Sequence, residues 1–157
     1  MVKKANKRLW IVRRLKHLGA QQDDLLDVYT KQVRSVLELA VPAWHGAITL
    51  VEQQDIERIQ KCVAHIILGD EYVSYRQALL TLNLESLQSR RGKLCLKFAK
   101  KAEKHEKFKN WFKVSDPKPN TRQTIYKYHE VYAKHSRFQK SPLSFLTRML
   151  NEHYSKK

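Results

Sequence analysis

Carboxylates, imidazoles, thiols and cations are the side chains here that could do chemistry, and their spacing sorts them. Two-metal phosphoryl transfer needs clustered carboxylates holding ions about 3.5–4 Å apart, which stabilise the attacking and leaving oxygens. The Asp-Asp pair of this chain is Asp23-Asp24, after Gln21-Gln22, at a point where a helix is expected to begin. Carboxylates there suit the positive helix N-terminus, so capping is the expected role. Seven histidines are present, and none makes an i, i+4 pair with a carboxylate partner of the kind a zinc peptidase uses. His129 and His135, six apart in a basic tail, read as surface residues. Cys62 and Cys95 sit in apolar, helix-like surroundings and read as buried free thiols, with no zinc or disulfide spacing. Neither cysteine has an activating neighbour in sequence, and no Gly-rich phosphate loop occurs. No catalytic residue, metal or cofactor is expected.

The cations carry the stronger signal. Of 157 residues 31 are Lys or Arg and 15 are Asp or Glu, for a net charge of +16. Residues 1–20 contribute +7, residues 21–89 contribute −5 and residues 90–157 contribute +14. Two basic ends around an acidic middle point to a polyanionic partner, because each phosphate contact releases condensed counterions. RNA or DNA is the expected partner; an anionic membrane and a merely solvated lysine surface are the competing explanations. The first candidate group is Lys3, Lys4, Lys7, Arg8, Arg13 and Arg14, with Lys16 on the same segment. The second is Arg90, Arg91, Lys93, Lys97, Lys100 and Lys101, which with Lys104 recur largely at three-to-four spacing and can share a long helical face. One of Arg90 and Arg91 could instead pair with the acidic middle. The third is the tail, where Tyr126, Tyr128, Tyr132 and Phe138 interleave with Lys127, Lys134, Arg137 and Lys140. Aromatics among cations suit stacking of bases and pairing of phosphates, and equally suit packing onto a bundle. Trp10, Trp44 and Trp111 read as packing residues. With no helix-turn-helix, zinc-finger or RNP pattern, base-specific readout is not expected.

These groups must be carried by helices. Only four Gly and four Pro punctuate the chain, too few turns for a many-stranded fold. Apolar periodicity predicts helices over 3–18, from Asp23 to about Ala40 where Pro42 breaks the pattern, over 53–68, over 75–82, and from a Ser86 cap to about Lys104 with Leu87, Leu94, Phe98 and Ala102 inward. Gly19 and Gly69 are natural stops, and residues 44–46 read as a turn. The Pro-rich run Val114 to Asn120 reads as a linker. Residues 125–137 are compatible with extended or helical structure. Ser141-Pro142 is a good helix start before Leu143, Leu146, Met149 and Leu150. The expected fold class is all-α: a small bundle of about five helices over 1–113, a linker over 114–124, and a basic aromatic tail over 125–157 that is partly irregular and ends in a short helix. No apolar run follows Met1-Val2-Lys3-Lys4 and no stretch of ~18 apolar residues occurs, so neither a secretory signal nor a membrane span is expected, and an intracellular setting is.

The order of these segments carries a resemblance. One block is Lys4-Ala5-Asn6-Lys7-Arg8-Leu9-Trp10 with Leu15, then Leu25-Leu26-Asp27-Val28-Tyr29, Val33-Arg34-Ser35-Val36-Leu37-Glu38 and Pro42-Ala43-Trp44-His45. A second is Ile56-Glu57-Arg58-Ile59-Gln60-Lys61 with Ile66-Ile67-Leu68-Gly69. A third is Ser74-Tyr75-Arg76-Gln77-Ala78-Leu79 with Leu84-Glu85-Ser86-Leu87 and Arg90-Arg91. Together they resemble the region after the reverse transcriptase domain of non-LTR (LINE-type) retrotransposons. The stretch Ser141 to Asn151 is similar to the carboxyl terminus of the same polyproteins. The resemblance implies a thumb and post-thumb region, a helical bundle that holds primer–template while a palm does the chemistry. Fingers, palm and the aromatic-associated Asp-Asp turn of that family are missing from these residues, so the implied role is non-catalytic. A helical interaction module without nucleic-acid binding is the alternative, with self-association through apolar surface that a palm would otherwise cover.

Overall fold

Ala5, Leu9 and Val12 recur at four and three residues, which places them on one face of a helix. In the computed structural model, which describes residues 1–115, 126–130 and 134–155, they are the buried stripe of α1, Val2–His17. Its last turn holds Arg14, Lys16 and His17, cations that favour a helix C-terminus. The amides of Gly19 and Ala20 then bond back to the carbonyls of Lys16 and Leu15, both at 3.1 Å. This closure requires a residue with positive φ, and Gly19 supplies it at +83°.

The helix expected from Asp23 to Ala40 is a continuous helical path with a wider middle. It comprises α2, Gln22–Val28, a π turn at Tyr29–Arg34, and α3, Ser35–Leu37. Asp23 and Asp24 stand in its first turn, where their charge suits the positive helix end, but neither caps it by a side-chain hydrogen bond and Gln21 is the N-cap. The path ends earlier than expected, and Ala40 takes a left-handed conformation at φ 50°. Pro42 therefore interrupts nothing: it lies in the first turn of α4, Val41–Trp44, where a missing amide hydrogen costs no helical bond. Residues 44–46 are thus the end of a helix and the turn after it.

Helix α5, Leu50–Leu68, starts three residues before the expected Gln53 because Thr49 and Glu52 form a reciprocal capping box. Ser74 caps α6, Tyr75–Thr81, and Ser86 accepts from the Ser89 amide at the start of α7, Leu87–Lys104. Glu57 of α5 reinforces that start. Its carboxylate accepts from the amides of Leu87 (3.1 Å) and Gln88 (3.3 Å) and from the Tyr75 hydroxyl.

Compactness divides the chain at other places than composition does. One unit comprises 1–39 and 49–91, the other 40–48 and 92–157, so α7 supplies residues to both. In the first, α1 packs against α5 and the π turn. Buried Gln60 accepts from the Tyr29 hydroxyl at 3.1 Å and donates to the Glu85 carbonyl at 2.8 Å. The Tyr29 hydroxyl is pushed well above the usual phenol range by that burial.

The core of the second unit is Val41, Cys95, Ala99, Ala102, Phe112, Tyr128, Leu146 and Leu150. The inward line of α7 is Leu87, Arg91, Cys95, Ala99 and Ala102, whereas Leu94 is half-buried and Phe98 lies at the surface. After α7 come a 3-10 turn, Glu106–Trp111, a bridge pairing Val114 with Tyr128, then α8, Ser136–Gln139, and α9, Pro142–Ser155. Pro142 occupies the first position of α9, as expected. Between 125 and 137 the described residues settle the two readings in parts: Tyr128 pairs in extended form, and a helical turn begins at Ser136. From residue 116 on, the expected linker lies outside the described residues, as does Tyr132.

Asn151 of α9 holds that extended piece in place of a neighbouring strand. Its Oδ1 accepts from the Tyr128 amide at 2.9 Å, and its Nδ2 donates to the Tyr128 carbonyl at 3.0 Å. Gly46 leaves room for α9: a Cβ there would stand 2.6 Å from the Phe145 ring. The fold is all-α, a small helical bundle. No helix among the described residues is long and apolar enough to cross a membrane.

Candidate nucleic-acid interface

The buried stripe of α1 fixes what its other faces can do. Residues turn by about 100° each along a helix. With Ala5, Leu9 and Val12 inward, Lys3, Lys7, Trp10 and Arg14 fall in a narrow sector on the opposite side, spaced four, three and four apart. All four are exposed, Trp10 to 65%. Lys4 and Arg13 flank the row and are exposed too. Among the described residues no carboxylate pairs with Lys3, Lys4, Lys7, Arg13 or Arg14. Trp10 does not pack as its type suggests, because its place on the wheel points away from every buried residue of its helix.

Other α1 cations are committed to the fold. Arg8 Nη1 donates to the Gln32 carbonyl in the π turn at 2.6 Å. Lys16 Nζ donates to the Ile67 carbonyl at 3.0 Å, at the negative end of α5.

The second group divides. Lys93, Lys97, Lys100 and Lys104 form one stripe on the outer side of α7, within the second unit, with exposed Lys101 at its edge. Arg90 pairs instead with Glu38 of the first unit, whose carboxylate also lies 3.7 Å from Arg34. Arg91 is 1% exposed. It cannot meet a phosphate in this structure, because its position on the line Leu87–Arg91–Cys95 turns it into the core. The Arg90-Arg91 step thus contributes an ion pair and a buried side chain, not a basic patch.

In the tail, Tyr126 is 43% exposed while Tyr128 is 4% exposed and part of the core. Tyr128 is therefore no base platform. Its ring faces Phe112 at 5.7 Å and its hydroxyl donates to Glu103. Glu103 gathers three donors, with the Lys127 ammonium at 2.7 Å and the Tyr154 hydroxyl at 2.8 Å beside Tyr128. Burial works to raise the Glu103 carboxyl, but the hydrogen bonds from Lys127, Tyr128 and Tyr154 hold it below the usual carboxylate range. The Tyr128 phenol is pushed up to about 12 by burial and by the Glu103 carboxylate. Lys127 Nζ also stands 3.8 Å from the Tyr154 ring centre, a cation–π contact. This cluster is a clamp for the tail, and Lys127 is part of it.

Trp44 is half-buried against the second core, and the Trp111 ring packs 4.6 Å from Phe108. No three His, Cys, Asp or Glu side chains among the described residues come together as a metal-ligand set. What the surface offers is cations in rows, one with an indole in it. No family model, curated protein or solved structure matches this chain.

Proposed function

We propose that this chain binds RNA or DNA through phosphates, with little sequence preference, as the non-catalytic thumb-like part of a non-LTR retrotransposon reverse transcriptase. The observation that carries the proposal is the outer face of α1, where Lys3, Lys7 and Arg14 stand in one row without carboxylate partners. Like charges on one helical face repel unless an anion neutralises them. A phosphate backbone does so with a gain in counterion entropy. The α7 stripe of Lys97, Lys100 and Lys104 repeats the chemistry. Filter binding across a salt series tests it. The slope of log affinity against log salt falls by roughly 0.7–0.9 for each phosphate engaged, and a slope near zero would sink the electrostatic reading. Primer–template with magnesium should give no incorporation; product above background would overturn the non-catalytic part.

A second reading has its own observation. Leu39, Leu50, Val51, Val73 and Leu80 of the first unit are each more than two-thirds exposed. This reading holds where such side chains gather into one patch, which favours a protein partner or a second copy. Sedimentation at high salt separates the readings: concentration-dependent association there supports the second, and a clean monomer removes it.

A further inference from the structure

We infer that Trp10 is a base-stacking platform, and that the α1 face selects single-stranded nucleic acid over duplex. The inference rests on the phosphate-binding reading and adds to it the partner's strandedness. An indole is the largest apolar side chain, and folding normally covers it. Trp10 is instead open to solvent in the middle of a row of cations, between Lys7 and Arg14. Among the described residues no ring or cation covers it, and 65% of the residue is open to a partner.

Geometry pairs the two chemistries. Lys7 lies about 4.5 Å below Trp10 along the axis and Arg14 about 6 Å above it, given a rise of 1.5 Å per residue. Long flexible cations on either side can hold the phosphates flanking one nucleotide while its base lies on the indole. Stacked bases in a duplex present no free π-face, so a duplex can use the cations and not the ring. A single strand can use both, and stacking tolerates any base. A membrane would also take an aromatic among cations, but this sector has one apolar side chain where an interfacial helix needs a continuous apolar face.

The test uses the full chain, a short oligothymidylate and a hairpin duplex of equal phosphate count. Trp10→Ala should weaken the oligothymidylate about tenfold and leave the duplex affinity and both salt slopes unchanged. Trp10→Phe should restore most of the loss, because it keeps a stacking ring. Indole emission should be quenched by the oligothymidylate in the parent chain and not in Trp10→Phe, which retains only Trp44 and Trp111 and so reports their background. Circular dichroism should be unchanged, since the residue is exposed. If both ligands bind with a salt slope and Trp10→Ala affects them equally or not at all, this inference fails and the phosphate reading stands. If neither ligand binds at low salt, both fail together. Emission that shifts with phosphatidylserine vesicles but not with oligothymidylate overturns it in favour of a lipid surface.

Discussion

The two units use their polar side chains in different ways. In the first, fourteen Lys and Arg face ten Asp and Glu, and several cations are absorbed as struts: Arg8 on Gln32, Lys16 on Ile67, Arg90 with Arg34 on Glu38. The second has seventeen Lys and Arg to five Asp and Glu, and most of its cations among the described residues are exposed. There the polar structural work centres on Asn151 and on Glu103, with Lys127 the cation that joins it. A count of cations therefore overstates the unpartnered surface charge of the first unit. What separates a strut from a free charge is whether a helix end or a carboxylate lies within reach.

The largest expected effect breaks that contrast at its neutral groups. Asn151→Ala leaves the amide and carbonyl of Tyr128 without their buried partner, and should cost about 2–4 kcal/mol. Gln60→Ala in the first unit strands the Tyr29 hydroxyl and the Glu85 carbonyl, for a loss of about 1–3 kcal/mol. Hydrogen exchange should place the lost protection in 126–130 and α9 for the first variant, and in α5 and the π turn for the second. Equal loss throughout the chain from either variant would show that the contact division has no energetic counterpart.

Glu103→Gln should act next, through pH. The folded carboxyl is held below its ordinary value of 4.5. Its contribution is therefore fully present above that value and is lost as pH falls through the lower folded one. The melting midpoint of Glu103→Gln should lie below that of the parent chain at pH 7, and the gap should close under acid. A gap independent of pH would mean that Glu103 acts by packing alone.

Much of this fold is legible in the sequence, and the illegible part has one cause. Gly19, Ser141-Pro142 and the periodic runs locate helix ends because caps and apolar stripes are local. The Thr49 to Glu52 box is equally local and is a readable signal for the earlier start of α5. The wheel of α1 likewise suffices to put Trp10 outside, since Ala5, Leu9 and Val12 define the inner face. Arg91 and Tyr128 are different. A charged residue on the line of Leu87 and Cys95, and an aromatic among lysines, go inward only because of what the rest of the chain places around them. The partner of Tyr128 is Asn151, 23 residues away, and the partner of Arg90 is Glu38, 52 residues away. No local pattern encodes pairs at that distance.

Thr49→Ala sharpens the same distinction between local and distant signals. It removes a cap that short-range sequence specifies completely, and should cost about 1 kcal/mol in the first unit. Thr49→Ser keeps the acceptor and should recover most of it. A cost near zero would mean that α5 is held by its packing on α1 and not by its end.

The smallest effect on stability should accompany the clearest effect on binding. Lys3→Gln with Lys7→Gln removes two exposed cations without partners from α1, and Lys97→Gln with Lys104→Gln removes two from α7. Surface changes of this kind usually stay within ±0.5 kcal/mol. Each pair should nevertheless lower the steepness of the salt dependence by roughly 1–2, one phosphate contact per cation. Arg8→Gln is the control: its guanidinium is already bound to Gln32, so it should lose stability and leave the slope alone. If Arg8→Gln lowers the slope as much as a lysine does, the line between strut and free charge is drawn in the wrong place. If only the α7 pair lowers it, the grip belongs to the second unit, and the α1 row serves to keep its helix soluble.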